Sequence, residues 1–206
     1  ADQFAIGDAR GQVQIWDAHS GGHRDRATAH AGPVQVLVND PAGSRLASAA
    51  VGDPVIRWWS WTEHNASSIG KTIPDRTICC LATHPSSPAW AVAGMSGTMH
   101  TWSTLDDPAS PVTAQVAATP VVALFVGPTG ERVTGHALGA VQVWPTDPTE
   151  PAEARFQHRG KVSFSVHPEQ TGFASIGMQD IAFWTTPVTT PHTVIEAAHE
   201  DVIQAA

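Results

Sequence analysis

Basic side chains are scarce in this sequence: 11 of the 206 residues are Lys or Arg, and the formal net charge is −8. Nucleic acids attract proteins through clustered Lys and Arg residues, which release counterions from the phosphates. The sequence also has no run of about 18 apolar residues, the length that a membrane-spanning helix needs. We therefore expect neither nucleic-acid binding nor membrane insertion.

Cysteine is scarce as well, because Cys79 and Cys80 are the two cysteines of the sequence. Neighbouring residues of a β-strand point to opposite faces, so these two thiols are poorly placed to form a disulfide with each other. A reducing compartment is then the simpler interpretation. We expect the protein to reside in the cytoplasm or the nucleus.

Tryptophan, by contrast, recurs at a regular interval. Five short segments of alternating apolar and polar residues each end in tryptophan, and the tryptophans recur with a spacing of 40–43 residues. These residues are Trp16, Trp59, Trp102, Trp144 and Trp184. A proline turn follows an apolar segment with the same period, at Pro41, Pro85, Pro128 and Pro168. Two markers that share one period indicate repeats of a single structural unit.

Each repeat predicts four short strands. The first is an apolar segment that ends at the proline turn, and the second ends in small residues such as those of LASAA. The third follows a tight turn and ends in tryptophan, and a weaker fourth strand comes after it. Four short antiparallel strands in about 40–45 residues are typical of a propeller blade. The sequence therefore predicts an all-β fold, a β-propeller of four-stranded antiparallel blades.

The segment from His30 to Ser60 closely resembles one repeat of the WD-repeat family. That family has a His before the first strand, a Ser on the second, an Asp in the tight turn and a Trp at the end of the third. These features fall on His30, Ser48, Asp53 and Trp59. The resemblance implies that the four residues form a hydrogen-bonded chain that staples the strands of one blade, and that the remaining four repeat tryptophans are blade-ending core residues.

The other repeats depart from this pattern. The turn position of Asp53 is occupied by Arg10, Ser96, Leu138 and Met178 in the other units. His158 and His199 match the leading His, whereas the third and fourth units have none. We therefore expect that only the unit around Trp59 has the complete staple and that the others depend on packing and on backbone hydrogen bonds.

The whole chain, 1–206, is interpreted as a single domain. Four blades are expected at about 30–75, 76–117, 118–158 and 159–198, and residues 1–29 together with 200–206 would form the fifth. Residues 202–206 would then pair with residues 4–9 and remove an exposed sheet edge. Three arrangements stay open: a ring of five blades, a part of a longer propeller, or an open ring that another chain completes. We favour a closed or nearly closed five-bladed ring.

Candidate sites for chemistry are few in the sequence. Eleven histidines are present, and the nearest metal-like spacing is His19 with His23, but no second pair of ligands accompanies it. Cys79 and Cys80 lie in an apolar segment, which favours packing over reactivity. Most acidic residues fall in predicted loops, so the carboxylate pair of a glycoside hydrolase is not indicated. We expect no catalytic residue, no metal and no cofactor.

Two further tryptophans, Trp58 and Trp61, lie beside the blade-ending Trp59. In an extended strand Trp58 points to the face opposite Trp59, so it either packs between neighbouring blades or is exposed for protein binding. Trp61 lies beyond the predicted strand end, with the same two alternatives.

The function expected from the resemblance is that of a non-catalytic scaffold or adaptor. Rigid antiparallel blades leave their loops and faces free to bind peptides or proteins. The expected partners are other proteins, which could also complete the ring, and the chain would be a subunit of a larger complex. A carbohydrate-binding propeller is the alternative, and a five-bladed glycoside hydrolase is ranked below it.

Overall fold

A computed structural model of the chain describes residues 3–40, 43, 45–62, 65–73, 77–104, 111–147, 150–167, 169, 171–188 and 191–196. These residues form nineteen β-strands, which are arranged in five small antiparallel sheets. Each sheet is contiguous in the sequence, and its strands are hydrogen-bonded in chain order. No helix long and apolar enough to cross a bilayer was found among the residues described.

The first two sheets are named A and B. Sheet A contains β1 (Gln3–Gly7), β2 (Gln12–Asp17) and β3 (His23–Thr28). Sheet B contains β4 (Val34–Asn39), β5 (Arg45–Ala50), β6 (Val55–Thr62) and β7 (Asn65–Thr72).

The remaining three sheets, C, D and E, have four strands each. Sheet C contains β8 (Ile78–Thr83), β9 (Trp90–Gly94), β10 (Thr98–Trp102) and β11 (Val112–Gln115). Sheet D contains β12 (Val121–Val126), β13 (Arg132–His136), β14 (Ala140–Trp144) and β15 (Glu153–Gln157). Sheet E contains β16 (Ser163–Val166), β17 (Gly172–Ile176), β18 (Ile181–Thr185) and β19 (Thr193–Ile195).

The strand register is the same at the five repeat tryptophans. Each pairs with a residue of the preceding strand in the same sheet. Four of them lie at or next to the end of their strand, whereas β6 continues for three residues beyond Trp59. The pairs are Phe4 with Trp16, Leu46 with Trp59, Trp90 with Trp102, Arg132 with Trp144, and Phe173 with Trp184. Equivalent positions of different sheets can therefore be compared residue by residue.

The core lies between consecutive sheets. Strand contacts join sheet A to B, B to C, C to D and D to E. Each of sheets A to D packs one face on the next sheet. This face is the one opposite the repeat tryptophan, and it bears the residue that directly precedes the tryptophan. In sheet B that face consists of Ala47, Ala49, Ile56 and Trp58, all 0–4 % exposed. The tryptophan side of the following sheet covers it, because Trp90 and Trp102 belong to the same apolar cluster.

Candidate interaction site

Sheet B contains a buried chain of hydrogen bonds that ends at its tryptophan. Nε1 of Trp59 donates to Oγ of Ser48 at 2.8 Å, and that Oγ lies 2.7 Å from Nε2 of His30. Nδ1 of His30 lies 2.8 Å from Oδ2 of Asp53. Because a carboxylate can only accept, the network assigns the imidazole proton to Nδ1. The four residues predicted from the WD-repeat resemblance are therefore brought together in one buried group.

Arg57 supplies a positive charge at the end of this chain. Its Nη1 donates to Oδ2 of Asp53 at 3.1 Å. Burial alone would raise the pKa of Asp53, but hydrogen bonds from His30, from the Val55 amide and from Arg57 hold that pKa below its usual value. Burial lowers the pKa of His30, and the Asp53 carboxylate offsets only part of that effect. The imidazole is therefore held neutral and the carboxylate ionised.

A glycine of the preceding sheet positions His30. Gly11, in the turn between β1 and β2, has a φ of 76°, a conformation that residues other than glycine rarely adopt. Its carbonyl oxygen accepts from the amides of Ala29 and His30 at 2.9 Å. Gly139, with a φ of 101°, accepts from the amide of His158 at 2.9 Å in the same way. Each turn therefore anchors the histidine that enters the following sheet.

Sheet E carries a second group of the same four residue types, in which the Trp–Ser and Ser–His contacts are hydrogen bonds but the close His158–Asp180 contact lacks hydrogen-bond geometry. Among the described residues, the hydrogen-bonded staple that the resemblance implies is therefore complete in sheet B alone. Trp184 Nε1 donates to Ser175 Oγ at 2.8 Å, that Oγ lies 2.7 Å from His158 Nε2, and His158 Nδ1 lies 2.8 Å from Asp180 Oδ1. The repeat spacing predicts Met178 at the turn position that Asp53 occupies in sheet B. Ile176 pairs with Ile181, so the hairpin is shorter and its last turn residue, Asp180, supplies the carboxylate.

Sheet D holds its tryptophan with a histidine from a different place in the chain. Trp144 Nε1 donates to Thr134 Oγ1 at 3.0 Å, and Thr134 Oγ1 lies 2.9 Å from His136 Nε2. His136 is on the same strand as Thr134, two residues later, and is 1 % exposed. Burial lowers the pKa of His136, and the Gln142 side chain offsets part of that effect. Sequence reasoning missed this group because it searched for a histidine before the first strand.

Sheets A and C lack the hydroxyl group at this position. Ile6 and Val92 occupy the places of Ser48, as the strand registers show. Trp102 stacks on Trp90 with 4.0 Å between ring centroids and 6° between planes. Trp16 is only partly buried and contacts His23 edge-on, and within the described residues its Nε1 has no hydrogen-bond partner.

The additional tryptophan Trp58 packs between sheets. It is 4 % exposed, and its ring meets Trp90 of sheet C edge-on at 5.3 Å. It therefore takes the packing role, which was one of the two alternatives. The expectation that Trp61 lies beyond the strand end was wrong, because β6 continues past Trp59 and the backbone of Trp61 pairs with Ala66. The side chain of Trp61 lies outside the described residues. His199 and the ring-closing segment 200–206 lie outside them too.

The residues considered for metal or thiol chemistry are dispersed. In the described part of the chain no group of three or more His, Cys, Asp and Glu residues converges on a common point. His19 and His23 are both exposed, and the His23 ring also contacts Trp16 edge-on. Burial raises the pKa of the Cys80 thiol, which makes its nucleophilic thiolate form less accessible.

Sheet E has an open apolar face. Four residues of sheet E occupy the positions that form the packed face in sheet B, and all four are partly exposed. They are Ala174, Ile176, Ile181 and Phe183. A depression of about 450 Å³ lies on this face, and Ser165, Ala174 and Phe183 contribute to its lining. We name these four apolar residues the outer face of sheet E.

Sheet A has the complementary open face. Phe4 and Ile6 are 45 % and 42 % exposed and lie on the same face as Trp16. In sheets B to E the equivalent tryptophan face is packed against the preceding sheet. We name Phe4, Ile6 and Trp16 the outer face of sheet A.

No protein-family model and no curated protein matches the chain. The geometry itself defines an all-β protein of five small antiparallel sheets packed together.

Proposed function

We propose that this chain is a WD-repeat β-propeller, or an arc of one, that serves as a non-catalytic scaffold in a protein complex. The observation that carries the proposal is the pair of outer faces on sheets A and E. The equivalent faces of sheets A to D are covered by the tryptophan side of the next sheet, whereas the outer face of sheet E is open. Exposed apolar surface of this kind marks an interaction site.

The repeat architecture supports a propeller. Five sequential sheets of three or four strands pack in chain order, and they use the same two faces at each junction. The Trp–hydroxyl–His group of sheets B, D and E supports the resemblance to WD repeats. Because blades bury their apolar faces only against neighbouring blades, terminal faces need a further sheet.

The occupant of the outer face of sheet E is the tryptophan side of another sheet, as at each internal junction. The chain itself offers such a sheet, since Trp16 lies on the outer face of sheet A. Sheets A and E make no extensive strand contact with each other in the described regions. We therefore assign the occupant as sheet A of a second copy, which gives a head-to-tail assembly.

Charge substitutions on either face test this assembly. We expect the mass of the purified chain, measured by light scattering, to rise with concentration. Ile6→Asp and Phe183→Asp are each expected to remain monomeric, because a carboxylate is costly to bury in an apolar junction. Mixed together, the two variants are expected to form a one-to-one dimer, since each retains the face that the other has lost.

Leu138→Asp is the matched control, because Leu138 is 69 % exposed in the β13–β14 turn and lies on neither outer face. Its assembly is expected to equal that of the unsubstituted chain. A chain that stays monomeric at all concentrations would contradict assembly between copies. An Ile6→Cys and Phe183→Cys double variant that cross-links within one monomer would show ring closure instead.

A further inference from the structure

A cleft of about 500 Å³ lies between sheets C and D, away from both outer faces. Thr101 and Val112 contribute to its wall on sheet C, and Val126 and Arg132 contribute to its wall on sheet D. Val112 is 49 % exposed on β11, an edge strand of sheet C, so the cleft is open to a ligand along that edge. Its volume falls in the range of pockets that bind small ligands or short peptide segments.

Arg132 is an exception to the repeat. It pairs with Trp144, and the residues that pair with the other four tryptophans are all apolar: Phe4, Leu46, Trp90 and Phe173. A charged residue at a position that packing fills with apolar residues elsewhere lowers stability unless the charge is used. The departure from the repeat therefore indicates a role for the guanidinium.

The guanidinium is fixed by one of its nitrogens only. Nη1 donates to the carbonyl oxygens of Pro145 at 3.2 Å and Thr146 at 3.0 Å. Within the described residues, Nε and Nη2 have no protein acceptor, and no carboxylate lies at ion-pair distance. Burial lowers the pKa of Arg132, and the more distant charge of Asp147 offsets only part of this effect. The charge is thus partly desolvated and held in place, and in the described part of the chain it forms no ion pair.

The two remaining nitrogens suit one chemical group. Nε–H and Nη2–H lie on one edge of the planar guanidinium and match the two oxygens of a carboxylate. Thr101, Val112 and Val126 line the same cleft. The Thr101 hydroxyl donates to the Val112 carbonyl oxygen at 3.3 Å, and the two valines can contact the aliphatic part of an adjoining peptide.

We propose that the cleft between sheets C and D binds the carboxylate of a peptide, with Arg132 as its bidentate partner. The carboxylate comes from an acidic side chain or from a free chain terminus. This site is separate from the outer faces, so it does not depend on the assembly proposed above.

Acetate, the carboxylate alone, is the first probe, and its titration is followed by NMR at Arg132 Nε and at the methyl groups of Val112 and Val126. We expect saturable shifts at all three residues with acetate and none with acetamide, the neutral analogue of the same shape. Arg132→Leu should abolish the shifts at the Val112 and Val126 methyl groups yet fold, because Leu46 occupies the equivalent position in sheet B. Arg132→Lys should bind more weakly, because an ammonium group cannot form the bidentate pair.

Two pentapeptides of otherwise identical sequence then distinguish the sources of the carboxylate. One has a central Glu and a C-terminal amide, and the other has a central Gln and a free C-terminus. We expect one of them to bind at least about tenfold more weakly to Arg132→Leu than to the unsubstituted chain. Equal shifts with acetate and acetamide, or binding of both peptides that Arg132→Leu leaves unchanged, would overturn the proposal.

Discussion

Sheets B and D both join the indole of their tryptophan to a hydroxyl group and an imidazole, but the imidazole comes from a different part of the repeat in each sheet. In both, an indole N–H donates to a hydroxyl group that also contacts an imidazole. The imidazole of sheet B precedes the first strand, whereas His136 of sheet D lies on the second strand. Asp53 and Arg57 extend the group in sheet B, and Gln142 lies beside His136 in sheet D.

Both sheets therefore keep the contact between an imidazole and the hydroxyl group beside the tryptophan, whereas the histidine that makes this contact lies at different positions in the chain. Buried N–H and hydroxyl groups must be paired, so any strand that can present an imidazole to the hydroxyl satisfies the requirement. In sheet C the buried Val92 replaces the hydroxyl residue and Trp102 stacks on Trp90, so apolar packing replaces the polar group. In sheet A the hydroxyl residue is replaced by Ile6, which lies on the open outer face.

The largest expected effect is that of removing the tryptophan itself. Trp59→Ala and Trp144→Ala should each lower the free energy of unfolding by about 3–5 kcal/mol, because both rings are almost fully buried. Urea denaturation followed by circular dichroism measures the change. Trp16→Ala is the matched control and should cost less, since Trp16 lies on an open face. Near-neutral effects at Trp59 and Trp144 would refute the packing described for both sheets.

A smaller effect should follow from removing the shared hydroxyl group. Ser48→Ala and Thr134→Val are each expected to cost about 1–3 kcal/mol, because each leaves a buried indole N–H and an imidazole nitrogen without a partner. The same denaturation experiment compares them. If only Ser48→Ala destabilised the protein, the group in sheet D would have no energetic role and the comparison of the two sheets would fail.

The smallest expected effect is a pH dependence that both sheets share. Burial lowers the pKa of His30 and of His136, so at mildly acidic pH the unfolded chain binds more protons at these residues than the folded one. Their contribution to stability is therefore complete above the unfolded pKa of about 6.5 and is lost as the pH falls below it.

Urea midpoints at about pH 7.5 and about pH 5.5 measure this loss, since the two values bracket the unfolded histidine pKa. His136→Gln and His30→Gln should each reduce the difference between the two midpoints, because each removes one group that titrates. Variants that retain the full acid sensitivity of the unsubstituted chain would show that other groups cause it.

The strands and the buried tryptophans were largely predictable. Alternation of apolar and polar residues predicts strands, and the common period divides them into equivalent units. The complete group of sheet B was predictable too, because His30, Ser48, Asp53 and Trp59 fall at the spacing of a recognised repeat.

The carboxylate of sheet E was missed for a physical reason. Alignment of the repeats at a fixed spacing from the tryptophan predicts Met178, not Asp180, at the turn position. A shorter hairpin brings a different residue to the same point in space, and hairpin length is set by the pairing register. His136 was missed similarly, since nothing in its spacing shows that the side chain turns towards Thr134.

The sequence by itself determined the local structure: strands form where side chains alternate, and their ends are set by tryptophan, proline and glycine. Tertiary structure alone decided which faces are covered, which histidine reaches which hydroxyl group, and that Arg132 faces a cleft. The physical reason is that alternation fixes only the two sides of a strand. Whether a side meets a neighbouring sheet or solvent depends on residues distant in the chain.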